Sequence, residues 1–222
     1  MLEICFVHVP KTGGTSLLVD GIAALGGVEV ATEGPNFTTY RVIKRPDLIL
    51  TYIGHNGRVR DYMTIAQYKQ QHSECFAFGF ARNPYDRLVS AFHYLSKGGM
   101  NVWDRADGVE YVAAYHGDFR RFVLDALAGQ QPPTIFRQIH LRPQVDWLCD
   151  ETGRVAVDCL GRCESMDSVY AELGSRIGVA LPAPSHVNKS DHASYETYYD
   201  EDLRALVARA YRADFERLGY PT

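Results

Sequence analysis

The sequence predicts an α/β fold: a single domain spanning residues 1–222, with a central parallel sheet flanked by helices. Three observations carry this. Short apolar runs at 4–9, Leu48–Ile53, 75–81 and 155–160 have the length and continuity of strands buried on both faces. Patterns of helical period separate them, the alternation that gives parallel pairing. The first three runs each end in a loop rich in glycine or basic residues, and ligands of such sheets bind beyond the carboxyl ends of the strands.

The elements follow in order. Leu17, Leu18, Ile22 and Leu25 give a first helix after the opening strand. Gly26-Gly27 and Glu33-Gly34-Pro35-Asn36 mark loops around short strand candidates. The run Leu48–Ile53 ends at Gly54-His55-Asn56-Gly57, and 64–71 forms a short helix. The strand 75–81 leads directly into Arg82-Asn83-Pro84. Asn83 as N-cap and Pro84 as first helical residue start a helix that runs to about Lys97 and stops at Gly98-Gly99. The stretch 97–108 reads as a mobile loop, 108–128 as one or two helices, and 155–160 as the fourth strand. Helices at 165–177 and 201–218 bracket a polar loop at 182–193.

Composition excludes several classes. The hydrophobic fraction of 46% supports a sizeable core. A net charge of −4 argues against a surface that coats nucleic acid, so any anion site is a local basic pocket. No apolar run approaches the roughly 20 residues of a membrane span, and the chain enters a strand at once without a signal peptide. The five cysteines are odd in number, contain no Cys-x-x-Cys pair and complete no metal site with histidine. Reduced thiols and a cytoplasmic location are the expectation.

The chemistry starts at Val9-Pro10-Lys11-Thr12-Gly13-Gly14-Thr15-Ser16. Adjacent glycines let the backbone approach an anion, and the unpaired N–H groups of a following first helical turn point at it. Lys11 adds a positive charge, and Thr12, Thr15 and Ser16 add hydroxyl donors. A Walker loop places its lysine after the glycines, whereas Lys11 precedes Gly13 and Gly14. No Mg²⁺ ligand set is visible, which favours a donor whose transfer needs no metal. Arg82 and Ser90 stand eight residues apart across the strand end and the next helix, a spacing suited to gripping a second phosphate. Equally, Arg82 can pair with Asp86 or Glu74, and Ser90 can be a surface serine.

These residues resemble a known family. The Lys11–Ser16 segment is similar to the 5′-phosphosulfate loop of carbohydrate sulfotransferases that use 3′-phosphoadenosine 5′-phosphosulfate (PAPS). Arg82-Asn83-Pro84-Tyr85-Asp86-Arg87-Leu88-Val89-Ser90 resembles their 3′-phosphate motif. His140-Leu141-Arg142-Pro143-Gln144, Gly161-Arg162-Cys163-Glu164, His186-Val187-Asn188-Lys189-Ser190 and Asp214-Phe215-Glu216-Arg217-Leu218-Gly219-Tyr220 are also similar, in the same order.

The resemblance implies a fold like that of P-loop nucleotide kinases, with PAPS as co-substrate, 3′,5′-bisphosphate as product and no metal. Lys11, Thr12, Gly13, Gly14, Thr15 and Ser16 would hold the phosphosulfate and Arg82 and Ser90 the 3′-phosphate. Asn188, Lys189 and Ser190 would lie near the nucleotide. Transfer to a hydroxyl needs a base, and imidazole suits that task. Tyr52-Ile53-Gly54-His55 resembles the strand-end Gly-His of the heparan sulfate 2-O-sulfotransferase branch, which makes His55 the expected base.

His140 and His186 follow His55 as candidates for the base, while His8 reads as a core or loop-bracing residue. His72, His93, His116 and His192 read as solvated. Arg58, His140 and Arg142 are candidates to contact the acceptor, a hydroxyl compound of carbohydrate or glycoside type. Without an anchor or signal, the chain reads as a bacterial-type member. The competing readings are a P-loop-like kinase or NTPase and a non-catalytic nucleotide- or glycan-binding module.

Overall fold

Six strands form one sheet in the computed structural model: β1 (Leu2–Val7), β2 (Val28–Glu33), β3 (Thr39–Lys44), β4 (Leu48–Ile53), β5 (Phe76–Ala81) and β6 (Cys159–Arg162). The structure describes residues 2–14, 28–33, 39–44, 47–53, 65–129, 132–178, 180–183 and 192–222. The helix expected around Leu17–Leu25 lies outside them. Strand order is β2-β3-β4-β1-β5-β6. The four strands β4, β1, β5 and β6 are mutually parallel, as the apolar runs predict. The strand candidates around the two glycine-bearing loops become β2 and β3, an antiparallel pair that extends the sheet beyond β4.

The chain packs as two compact units, each made of two segments: 1–82 with 146–189, and 83–145 with 190–222. In the first, β1 is central and buried on both faces, with Ile4, Cys5, Phe6 and Val7 at most 1% exposed. Phe6 stacks on Phe78 at 5.0 Å, and Phe80 meets it edge-on at 6.1 Å. Helix α1 (Ile65–Gln71) is tied to the amino ends of the strands by Tyr68 Oη donating to Glu3 Oε1 at 2.9 Å and by Lys69 bonding Asp158 at 2.8 Å.

The second unit holds α2 (Pro84–Ser96), α3 (Val102–Tyr111) and α4 (Phe119–Leu127). The short α5 (Val145–Leu148) carries the chain back to the first unit. There α6 (Met166–Ile177) lays Met166, Val169, Tyr170 and Leu173 on the sheet, the i, i+3, i+4, i+7 face of an amphipathic helix. Gly161 permits this approach, since a Cβ there would lie 2.8 Å from Val169 Cγ2. The chain ends in α7 (Glu201–Ala210) and α8 (Arg212–Leu218). Aromatic rings dominate the second core: Phe92 meets Phe119 and Phe122 at 5.3 and 5.1 Å, and Tyr85 meets Tyr199 and Phe215 at 5.0 and 4.9 Å.

Three expectations are corrected. The fourth strand begins at Cys159, and Val155 instead makes an isolated antiparallel bridge to Cys149. The 97–108 stretch is no loop beyond Asn101. Asn101 Oδ1 accepts from the N–H groups of Trp103 and Asp104, both at 2.9 Å, and starts α3 there. The last helix breaks at Tyr211, whose buried hydroxyl donates to Leu141 O at 2.6 Å. Asp214, 0% exposed, then accepts from the backbone N–H groups of Gln144 and Val145, each at 2.9 Å.

Candidate active site

In a parallel ladder every strand delivers its carboxyl end to one edge. At that edge of the first unit, β1 runs into the loop 8–14, β5 into Arg82, and β6 ends at Arg162, which is in register with Ala81. The loop is pinned beneath by His8, whose N–H donates to Ile53 O at 2.8 Å. Lys11 and Gly13 both have positive φ, 69° and 85°, and Gly14 opens a helical turn. Two residues of positive φ this close together give the loop the tight turning on which backbone anion sites are built. For Gly13 this conformation is free of Cβ strain; for Lys11 it costs about 1–2 kcal/mol.

Three contacts hold the loop in that shape. Thr12, 1% exposed, donates its hydroxyl to Val9 O at 2.9 Å. Its side chain therefore braces the loop from within, whereas the sequence reading gave it to the ligand. Gly13 lies under the β6–α6 turn, where a Cβ would be 2.9 Å from Met166 Sδ and 3.6 Å from Cys163 Sγ. Gly14 sits against His8, where a Cβ would be 2.2 Å from its Cδ2 and 2.9 Å from Phe6 Cζ. Phe6 sits on the packed strand β1 and His8 follows directly after it, so the rings yield little. Gly14→Ala is expected to cost about 1–3 kcal/mol of stability by overpacking. A urea midpoint equal to wild type would show that His8 moves freely aside.

Arg82 joins this loop to the next strand. Its Nη1 donates to Lys11 O at 3.2 Å, which puts the guanidinium beside the strained lysine backbone. The two motifs read separately in the sequence thus meet across adjacent strands β1 and β5. Arg162 at the end of β6 adds a third basic residue at this edge. Its sequence motif assigns it no role; the register with Ala81 reveals its place.

Ser90 lies in the second unit, on α2, and is 1% exposed, so it is not a surface serine. His140 is 4% exposed and accepts a hydrogen bond from Gln138; the carbonyl of Arg142 accepts from Arg87 Nη1 at 2.8 Å. Thr15, Ser16, His55, Arg58, His186, Asn188, Lys189 and Ser190 fall outside the described residues. Of the histidines read as solvated, His72 is partly exposed and lies 2.7 Å from Glu3, while the partly buried His93 bonds Tyr198 Oη at 2.9 Å and stacks on His192.

All five cysteines are free, and burial pushes the thiols of Cys75 and Cys159 up to about 11, which leaves them inert near neutral pH. Among the described residues no group of three or more His, Cys, Asp or Glu is placed to hold a metal ion, and no helix is long and apolar enough to cross a membrane.

The described residues define an α/β protein in which a glycine-bearing loop with a lysine follows the central strand and is braced by an arginine at the end of the neighbouring parallel strand. The family follows from comparison with known proteins. A model described as the sulfotransferase family matches residues 2–221, nearly the whole chain. The chain belongs to the sulfotransferase family, and its chemistry is sulfuryl transfer. A search of curated proteins finds no significant match.

Proposed function

We propose that residues 1–222 act as one PAPS-dependent O-sulfotransferase domain, moving the sulfuryl group to a hydroxyl of a carbohydrate or glycoside-like acceptor in the cytoplasm. The observation that carries this is the bond from Arg82 to the carbonyl of Lys11, which supports one anion site at the loop and a second beside it. PAPS carries an anion at each end and fits that pair; it would supply an activated sulfuryl group.

The N–H groups of Lys11–Gly14, with the hydroxyls of Thr15 and Ser16, hold the phosphosulfate end, and Arg82 with Ser90 the 3′-phosphate. The segment Asn188-Lys189-Ser190 adds contacts to the nucleotide. The acceptor oxygen attacks sulfur, the bond from sulfur to the phosphate oxygen breaks, and its electron pair leaves with the bisphosphate. Lys11 stabilises that charge. His55 takes the hydroxyl proton, and Arg58, His140 and Arg142 contact the acceptor.

The test is transfer of radiolabelled sulfate from PAPS to an extract of the source cell, followed by identification of the product. His55→Ala should lower transfer steeply and leave nucleotide affinity nearly intact. Arg82→Ala should weaken 3′,5′-bisphosphate binding about 10- to 100-fold, the worth of a charged hydrogen bond. Adenosine 5′-phosphosulfate, which lacks the 3′-phosphate, should lose much less. Equal losses would mean that Arg82 acts only through the loop. Mg²⁺-dependent ATP binding that PAPS cannot displace would favour a kinase, and nucleotide binding without transfer a non-catalytic module.

A further inference from the structure

Helix α3 of the second unit turns its branched apolar side chains outward. Its inner face packs on α2, where Gly108 comes so close that a Cβ would lie 2.3 Å from Leu95 O. On that face Asp104 is buried and takes the Tyr94 hydroxyl, and the capping Val112 is buried as well. Val102, Ala106 and Val109 stand on the opposite face, all exposed. Val102 is 67% and Val109 69% exposed, so neither contributes much to the core of its own chain.

The spacing of these three is that of a coiled-coil seam. Steps of four and then three residues make Val102, Ala106 and Val109 the d, a and d positions of a heptad. Arg105, directly before Ala106, then holds g, and Glu110, directly after Val109, holds e; both are exposed. Five residues apart, they stand about 140° apart around the helix and cannot reach each other.

A second copy of the chain completes both charges. Where two such helices run parallel, each g position faces the e position five residues further along the other helix. Arg105 of each copy therefore meets Glu110 of the other in a single two-fold contact. Antiparallel pairing would instead set g against g and e against e, arginine on arginine and glutamate on glutamate. The charges thus select the occupant and its direction together.

We propose that α3 is a self-association surface, on which two copies of the chain pair in parallel through Val102, Ala106 and Val109, bracketed by two Arg105–Glu110 ion pairs. The seam spans about 12 Å of helix. Met100 and Trp103, exposed beside it, widen the contact. A surface of this size is at the small end of specific interfaces, so the dimer forms reversibly and depends on concentration. Nothing in this pairing depends on which donor or acceptor the enzyme uses.

The experiment is sedimentation velocity of the full-length protein over micromolar to millimolar concentrations. The wild-type mass should rise from 24.9 kDa toward twice that value. Arg105→Glu and Glu110→Arg each set like charges against one another on both flanks of the seam. Each should raise the dissociation constant at least about tenfold. Mixed together, the two variants should associate about as tightly as wild type, because each copy then supplies the sign the other lacks. Val109→Asp should give a monomer whose far-UV spectrum is unchanged.

A wild type that remains at 24.9 kDa throughout overturns the proposal. So does a dimer that survives Val109→Asp, which would place the contact elsewhere. Charge reversals without effect, or reversed variants that fail to associate on mixing, overturn the parallel pairing. A wild-type monomer that sediments with phosphatidylglycerol vesicles, and loses that binding in Val109→Asp, would assign the face to a lipid surface instead.

Discussion

Lys11→Ala is expected to slow sulfuryl transfer about 10²- to 10³-fold, the loss seen when one preorganised electrostatic contact to a developing charge is removed. Nucleotide affinity should fall much less, because the backbone N–H groups of the loop remain. The backbone makes this a clean experiment. Lysine and alanine carry the same Cβ into the left-handed region at φ 69°, so the substitution changes the charge and not the strain. Lys11→Gly would relieve that strain while losing the same ammonium, and should match the alanine variant in rate while exceeding it in stability. Single-turnover transfer beside equilibrium binding of the bisphosphate separates these effects. A loss confined to binding would move Lys11 from the transition state to the ground state.

Asp214→Ala is expected to cost about 3–5 kcal/mol of stability, as when one partner of a buried charged network is removed. Asp214 is wholly buried, and its loss leaves two backbone N–H groups, of Gln144 and Val145, without their acceptor. Its pH signature is distinctive. Burial pushes the Asp214 carboxyl up to about 6, while Arg87 and the Gln144 and Val145 N–H groups pull it down.

The unfolded carboxyl titrates near 3.9, so the folded state binds the proton more tightly. This group's contribution to stability is thus fully present below about pH 4 and is lost as pH rises through 6, at up to about 1.4 kcal/mol per unit. Asp214→Asn should remove that slope. The difference in urea stability between wild type and Asp214→Asn, followed from pH 4 to 7, measures it. A flat difference would place the Asp214 carboxyl at its ordinary value.

The sequence made local signals legible and distant ones opaque. The strand Leu48–Ile53 has the same bounds in sequence and structure, because a short apolar run between polar loops has few alternatives. Asn83 caps α2 with its side chain on Tyr85 N at 2.9 Å, as a cap followed by proline foretells. Misreadings arose where a residue's role depends on a partner far along the chain. Asn101 and Asp104 read as polar loop residues, although Asn101 caps α3 locally and Asp104 takes a hydroxyl from Tyr94 on the preceding helix. Nothing local marks Gln138, whose partner Asp107 is 31 residues away. At the site, Lys11 and Arg82 were each readable from type and spacing, but the bond between them required the parallel register of β1 and β5.

That register has an evolutionary corollary. A parallel pair is joined through a crossover and never by a tight turn at the carboxyl edge. Inserted or deleted residues after β4 or β6 therefore leave the ladder of β1 and β5 unshifted, and with it the spacing of Lys11 and Arg82. On the proposed assignment of Lys11 and Arg82, recognition of the donor stays constant while the neighbouring connections diversify. One scaffold can thus be retuned toward new hydroxyl compounds by changing loops alone.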